Sequence, residues 1–282
     1  MNAVVINLPY AGGGAPPPVA KHLNLAPGEW QLEHWRLTDP CLAEVLRLAA
    51  APEARPPRPV VVNPWSPLVA DPWGLWAAEL ASAGDQPEPG GAAILSRTTA
   101  GKAITWTEAE REVIFGRSVR PFYAQIEAAV AEMLQIAPLV LVITLRSYSS
   151  RPFAFERNRK FPRPQVCVGA RSGLTPPGLA DLAGDVFLAC RWWPELSWPQ
   201  AGGACLPPSL AGRPRVRALG LSLCRSLYMD EDTGRPKPAA AGVARVLSTV
   251  FNILDQELSR VSQLRLDRAR PKDSPVIKAN QL

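Results

Sequence analysis

Histidine is almost missing from this chain: among 282 residues there are only His22 and His34. Paired cysteines are missing too. Cys41, Cys167, Cys190, Cys205 and Cys224 are odd in number, widely spaced, and form no Cys-x-x-Cys unit. Neither a disulfide framework nor a structural zinc site is indicated by that pattern. No apolar run approaches the ~20 residues needed to cross a bilayer, and the opening Met1-Asn2-Ala3-Val4-Val5-Ile6-Asn7-Leu8 carries no basic segment or small-residue cleavage site. A cytoplasmic protein with no membrane partner is expected. The formal net charge is +6, but the basic residues are scattered among 25 acidic ones, which argues against nucleic acid as a partner. No segment is repetitive enough to count as low complexity.

What is present points to one large core. Apolar residues make up 47% of the chain, enough for a single domain near the upper end of the usual size. That domain is expected over residues 1–266, with a polar tail over 267–282 too poor in apolar residues to fold alone. The 31 prolines and 20 glycines predict a loop-rich surface. Val4-Val5-Ile6-Asn7-Leu8 reads as a buried first strand. The glycine-rich Pro9-Tyr10-Ala11-Gly12-Gly13-Gly14 after it lacks the endings of a phosphate loop or a dinucleotide fingerprint, so it reads as a tight turn. Pro59-Val60-Val61-Val62-Asn63-Pro64 and Leu139-Val140-Leu141-Val142-Ile143-Thr144-Leu145 are further strand candidates, nearly continuous in apolar character as suits strands covered on both faces. Thr107 and Glu110 have the spacing of a capping box at a helix start. Phe122, Ile126, Val130 and Met133 recur at helical spacing, and Val243, Val246, Leu247, Val250, Leu254, Leu258 and Val261 form one apolar stripe on a last helix.

The most specific stretch is Leu221-Ser222-Leu223-Cys224-Arg225-Ser226-Leu227-Tyr228-Met229-Asp230-Glu231. It resembles the closing motif of the N-formylglutamate amidohydrolase family, with Arg225, Leu227, Tyr228, Met229, Asp230 and Glu231 matching. Ser222 stands for the family's glutamate and Cys224 for its asparagine. Less specific likenesses extend the resemblance from Val4 to about Val261. Pro9-Tyr10-Ala11-Gly12 is similar to a Pro-His-Ser/Ala-Gly turn, which puts Tyr10 where the first metal-binding histidine belongs. Asp71, at the end of Trp65-Ser66-Pro67-Leu68-Val69-Ala70-Asp71, matches a substrate-side element, from which Pro72, Trp73 and Gly74 then depart. Ile143-Thr144-Leu145-Arg146-Ser147 is similar to an Asp-x-His-Ser segment, so Thr144 replaces the aspartate, Arg146 replaces the second histidine and Ser147 survives. Gly202-Gly203 with Pro207-Pro208 is similar to a Gly-Gly-x-x-x-Arg-His region with prolines in place of arginine and histidine. The resemblance implies an α/β, three-layer domain with a mixed, mostly parallel central sheet of the phosphorylase/hydrolase-like type, as in zinc exopeptidases. Helix and strand patterns by themselves say only that a layered α/β domain is reasonable.

Metal-dependent hydrolysis needs about three protein ligands drawn from His, Asp, Glu or Cys, and a carboxylate beside the metal-bound water. Tyr10, Thr144, Arg146, Pro208 and Ser222 supply none of these, and Arg146 adds a permanent positive charge. The expectation is therefore no catalytic residues, no metal and no cofactor, and a substrate- or ligand-binding remnant pocket formed by Tyr10, Arg146, Ser147, Ser222 and Arg225. Three readings stay open. One is a catalytically inactive pseudoenzyme that serves as a scaffold or accessory subunit for another protein, such as an active enzyme, helped by tryptophans such as Trp192, Trp193 and Trp198 as interface anchors. A second is an enzyme of different mechanism built on Tyr10, Arg146, Ser147, Cys224 and Arg225. The third is a sensor that holds a small acidic ligand or peptide through Arg146 and Arg225, since guanidinium groups bind carboxylates bidentately. Each arginine also has a plainer reading, Arg146 as a solvated or salt-bridged surface residue and Arg225 as a tie for the Asp230-Glu231 turn.

Overall fold

Strands covered on both faces need apolar residues at consecutive positions, and such runs supply the centre of the sheet. The computed structural model describes residues 4–15, 25–49, 58–80, 93–200 and 203–269, with Val19 and Leu23 as single described positions. Six strands form one sheet: β1 (Val4–Leu8), β2 (Val60–Val62), β3 (Val140–Tyr148), β4 (Val166–Gly169), β5 (Pro194–Leu196) and β6 (Val216–Cys224), in the order β2-β1-β3-β6-β4-β5. β2, β1, β3 and β6 are mutually parallel, while β4 runs antiparallel to β6 and carries β5 parallel to itself. The sheet is thus mixed and mostly parallel, with helices on both faces, as the resemblance implied.

The two central strands are the longest, nine residues each, and pair over their full length from Val140↔Val216 to Tyr148↔Cys224. Side chains alternate between faces along a strand. Leu141, Ile143 and Leu145 accordingly join one core with Leu219, Leu221 and Leu223, while Val140 and Val142 join the other with Ala218. The first core is closed by α2 (Leu42–Ala49), α6 (Leu179–Ala189) and α7 (Ala240–Ala269), the last presenting Val243, Leu247, Val250, Leu254 and Leu258 as its buried stripe. Val246 is half-buried beside them, and the side chain of Val261 lies outside the described residues. α7 continues to Ala269, past position 266, and residues 270–282 of the expected tail lie outside the described residues.

The second core is closed by α5 (Arg120–Ile136), whose Phe122, Ile126, Val130 and Met133 are buried at the anticipated spacing. α4 (Glu108–Ile114) starts at the capping box, where the Glu110 amide donates to Thr107 Oγ1 at 3.3 Å and the Thr107 amide donates to Glu110 Oε2 at 2.8 Å. Between α4 and α5 the helix widens into a π turn over Phe115–Val119. Pro121 has no amide hydrogen to give the preceding turn, which disfavours a regular α-helical ladder there. Two further helices, α1 (Pro27–Leu37) and α3 (Leu75–Leu80), sit near the carboxyl ends of β1 and β2. Among the described residues no helix is long and apolar enough to cross a membrane.

Candidate functional site

Ligands of open parallel sheets bind at the carboxyl ends of the strands, and there the sheet interrupts its apolar runs with polar residues. Asn7 near the end of β1, Thr144 and Arg146 on β3, Ser222 on β6 and Cys167 on β4 all point to the α5 face, as strand alternation and the Arg146↔Ser222 and Cys167↔Ser222 pairings require. Tyr10, two residues beyond β1, folds onto the same face. Its hydroxyl donates to Asp71 Oδ1 at 2.7 Å. The other Asp71 oxygen accepts the amides of Trp76 at 2.6 Å and Ala77 at 3.0 Å, the first-turn donors of α3. Burial pushes the Asp71 carboxyl up, and burial together with the neighbouring Asp71 charge pushes the Tyr10 hydroxyl well up. Asn7 Nδ2 donates to Thr144 Oγ1 at 3.2 Å, and Thr144 Oγ1 reaches Cys205 O at 3.5 Å.

Arg146 is the exception in this network. It is only 1% exposed, and its Nε and Nη2 are buried without a hydrogen-bond partner. None of the ion pairs among the described residues includes it. The reading of Arg146 as a salt-bridged surface residue is therefore corrected: the side chain is inside the protein. The segment that roofs it can lie against the sheet because three glycines meet, Gly169, Gly203 and Gly220, a Cβ on Gly169 standing 2.7 Å from the Gly203 Cα. A Cβ on Gly220 would stand 2.2 Å from the Gly203 carbonyl carbon, and a Cβ on Gly203 would stand 2.9 Å from Arg146 Nη2. Gly202 lies outside the described residues.

Ser147 and Arg225 belong to the opposite face. Asp39 Oδ1 accepts from the Ser147 amide at 2.8 Å and from Ser147 Oγ at 2.7 Å. Arg225, fully buried, donates through Nε to Ser147 Oγ at 3.1 Å, through Nη1 to Trp35 O at 3.1 Å and through Nη2 to Thr38 O at 2.5 Å. Its guanidinium thus caps the carboxyl end of α1, where unpaired carbonyls favour a cation. The Asp230-Glu231 turn is held by other groups, since Asp230 Oδ1 accepts the amides of Asp232 and Thr233, and Glu231 accepts Ser149 Oγ and the Ser150 amide. Arg225 therefore ties down α1 and Ser147, not that turn. Among the five residues expected to share one pocket, Tyr10, Arg146 and Ser222 come together, and the sheet separates them from Ser147 and Arg225.

Two contributors lie outside the sequence reading, and only the first carries a faint signal. Asn7 is the polar interruption in the apolar run of β1, which marks its face. Asp39 carries none: it follows α1 with no flanking pattern, yet its carboxyl, fully buried, is pushed up to about 6 by burial, with Arg225 and Ser147 opposing that shift. Cys224 packs with Cys167 and Tyr148, and burial pushes its thiol up, the opposite of what a nucleophile needs.

The sequence profile of the N-formylglutamate amidohydrolase family matches residues 2–229. The chain belongs to the N-formylglutamate amidohydrolase family. Two solved structures share the fold of this family member. The crystal structure of an N-formylglutamate amidohydrolase from Ralstonia eutropha JMP134 is 21% identical, with a TM-score of 0.71 over 93% of this chain and 95% of that one. That of a gene product from Agrobacterium tumefaciens is 15% identical, with a TM-score of 0.64 over 92% of each chain. No curated protein matches.

The zinc that the family resemblance implies does not fit the residues of this family member. Among the described residues no three His, Cys, Asp or Glu side chains gather where they could hold a metal ion. His34 lies against the Gly13 turn, and His22 lies outside the described residues. At the positions assigned to ligands stand a phenol bonded to Asp71, a hydroxyl bonded to Asn7, and a guanidinium, which repels a divalent cation.

Proposed function

We propose that this member of the amidohydrolase family binds without hydrolysing, and acts as an accessory or scaffold subunit for another protein rather than as a metal enzyme. The observation that carries the reading is the buried Arg146 guanidinium on the Tyr10 and Ser222 face, with the metal-ligand positions of that face taken by non-ligating groups. A water molecule cannot be activated there by a metal, and the neighbouring groups offer no substitute base. Asp71 is committed to four donors, and the Tyr10 and Cys205 groups are pushed up by burial. Support for a protein partner comes from the β5 edge, where Trp193 is 41% and Leu196 52% exposed beside the exposed Leu188 of α6. Exposed aromatic and aliphatic side chains of this kind serve as interface anchors.

The test is a hydrolysis assay on N-formylglutamate with zinc supplied. The expected result is a rate no higher than that of buffer with zinc. Turnover that disappears on chelation would overturn the reading. For the accessory role, tagged protein should elute from native extract in a complex of larger size that Trp193→Glu dissolves. Recovery of the wild-type chain as a monomer from every extract in which it is expressed would contradict it.

A further inference from the structure

Among the described residues three arginines are buried, and two of them give most of their donors to the protein's own acceptors, only Nε of Arg163 staying unbonded. Arg225 is engaged by backbone carbonyls and Ser147. Arg163 pairs with Glu156, donates to Ser149 O and Asn158 O at 3.0 Å each, and lies over the Tyr148 ring. Arg146 differs: two of its three nitrogens are buried and unbonded, and among the described residues no carboxylate pairs with it. A buried, permanently charged group is stable only when something of opposite charge or a set of acceptors meets it. The acids of this region do not fill that place. Asp71 turns its oxygens to Tyr10 and α3, and Asp39, which feels the Arg146 charge and whose Oδ2 is unbonded, is held by Ser147 on the other face and forms no ion pair with Arg146.

We infer that Arg146 is the receptor for one small planar carboxylate, bound at the carboxyl ends of β3 and β6 on the Tyr10 and Ser222 face. This rests on the reading that no metal occupies that face. The guanidinium presents a fixed fork whose geometry matches two carboxylate oxygens. The side chain is 1% exposed and a Cβ on Gly203 would stand 2.9 Å from Nη2, so the inferred ligand meets the guanidinium with its carboxylate head alone. Arg225 is spent on the far side of the sheet, so among the described residues Arg146 is the buried cation on this face, and the site selects a single carboxylate over a dicarboxylate gripped at both ends. The group can belong to a free small acid or to the C-terminus of a polypeptide.

The experiment titrates the full chain with sodium acetate, and separately with sodium chloride, at constant ionic strength, following the arginine Nε–H resonances by NMR. Arg146→Met identifies the Arg146 signal by its loss. A saturable displacement of that signal by acetate, with none by chloride, is the expected result, together with a rise in Tm that Arg146→Met abolishes. A short peptide with a free C-terminus that saturates at least tenfold below acetate, while its amidated form does not bind, assigns the carboxylate to a polypeptide. Equal or weaker binding of the peptide assigns it to a free acid. No saturable displacement by acetate or peptide, or an equal one by chloride, overturns the inference. Zinc uptake with hydrolysis in the same preparation sinks the underlying reading instead, whereas a zinc-free protein indifferent to carboxylates sinks only this inference.

Discussion

Arg146 and Arg225 are both buried guanidinium groups, yet removing them should have opposite consequences. Arg225→Met strands the carbonyls of Trp35 and Thr38 at the end of α1, and buried acceptors left unpaired should cost about 3 kcal/mol. Arg146→Met takes away a buried charge with two unbonded nitrogens and no ion-pair partner among the described residues, so in carboxylate-free buffer the variant should unfold at or above the wild-type denaturant midpoint. Chemical denaturation of the two variants side by side checks this, and a large loss for Arg146→Met would show a partner for that charge within the fold. Asp39 offers a third residue-scale prediction. Its carboxyl is pushed up to about 6 in the folded protein, so the folded state holds its proton over a range where the unfolded chain has released it. Unfolding free energy therefore declines as pH rises from about 4 to about 6, by on the order of 2–3 kcal/mol from this group, and is level above that. Asp39→Asn should lack that part of the decline when denaturation midpoints are compared across the range. Parallel curves for the two proteins would contradict it.

At the scale of elements, the roof over Arg146 depends on close backbone approach between the 203–206 segment and strands β4 and β6. Gly220→Ala puts a methyl 2.2 Å from the Gly203 carbonyl carbon, and forcing the segment away should cost about 1–3 kcal/mol. Gly184→Ala in α6 meets nothing within 4 Å and should stabilise by about 0.5–1 kcal/mol through the lost freedom of glycine in a helix. Thermal unfolding of the pair separates a packing role for Gly220 from a general effect of removing glycine. These elements differ in how far the sequence reveals them. β1, β3, α5 and α7 are legible because their apolar residues repeat at the period of the element and lie in one core. β4 and β5 are not, since four and three residues are too few to show a period. β6 is hidden by its own motif, because Ser222 and Cys224 interrupt the apolar run at alternate positions while being buried against their neighbours.

For the whole molecule, the family topology is retained, while the positions that resemble its ligand motifs carry Tyr10, Thr144, Arg146, Pro208 and Ser222. The frame is readable from Arg225 to Glu231, and in this chain those residues perform folding tasks: capping α1, closing the first core with Tyr228 and Met229, and anchoring the loop after β3 through Glu231. The candidate site is only half readable. Residue order shows that Tyr10, Arg146 and Ser222 come from three strand ends, but which side of the sheet each faces depends on register, and one residue along a strand moves a side chain to the opposite face. Ser147 follows Arg146 directly and so lies across the sheet from it. Restoring ligands piecemeal should consequently fail: Tyr10→His with Thr144→Asp and Arg146→His still leaves Ser222 without a carboxylate and Pro208 without a ligand. An assay of that triple variant with zinc should give no turnover, and recovery of activity would mean that far fewer changes separate this chain from a hydrolase.

Whether the face bearing Arg146 holds a divalent cation is decided by measuring bound zinc in protein purified from zinc-replete cells, without chelators, by elemental mass spectrometry. Zinc far below one equivalent per chain, unchanged in Arg146→Met, is expected. Stoichiometric zinc, lost when Ser222 or Tyr10 is replaced by alanine, would contradict it.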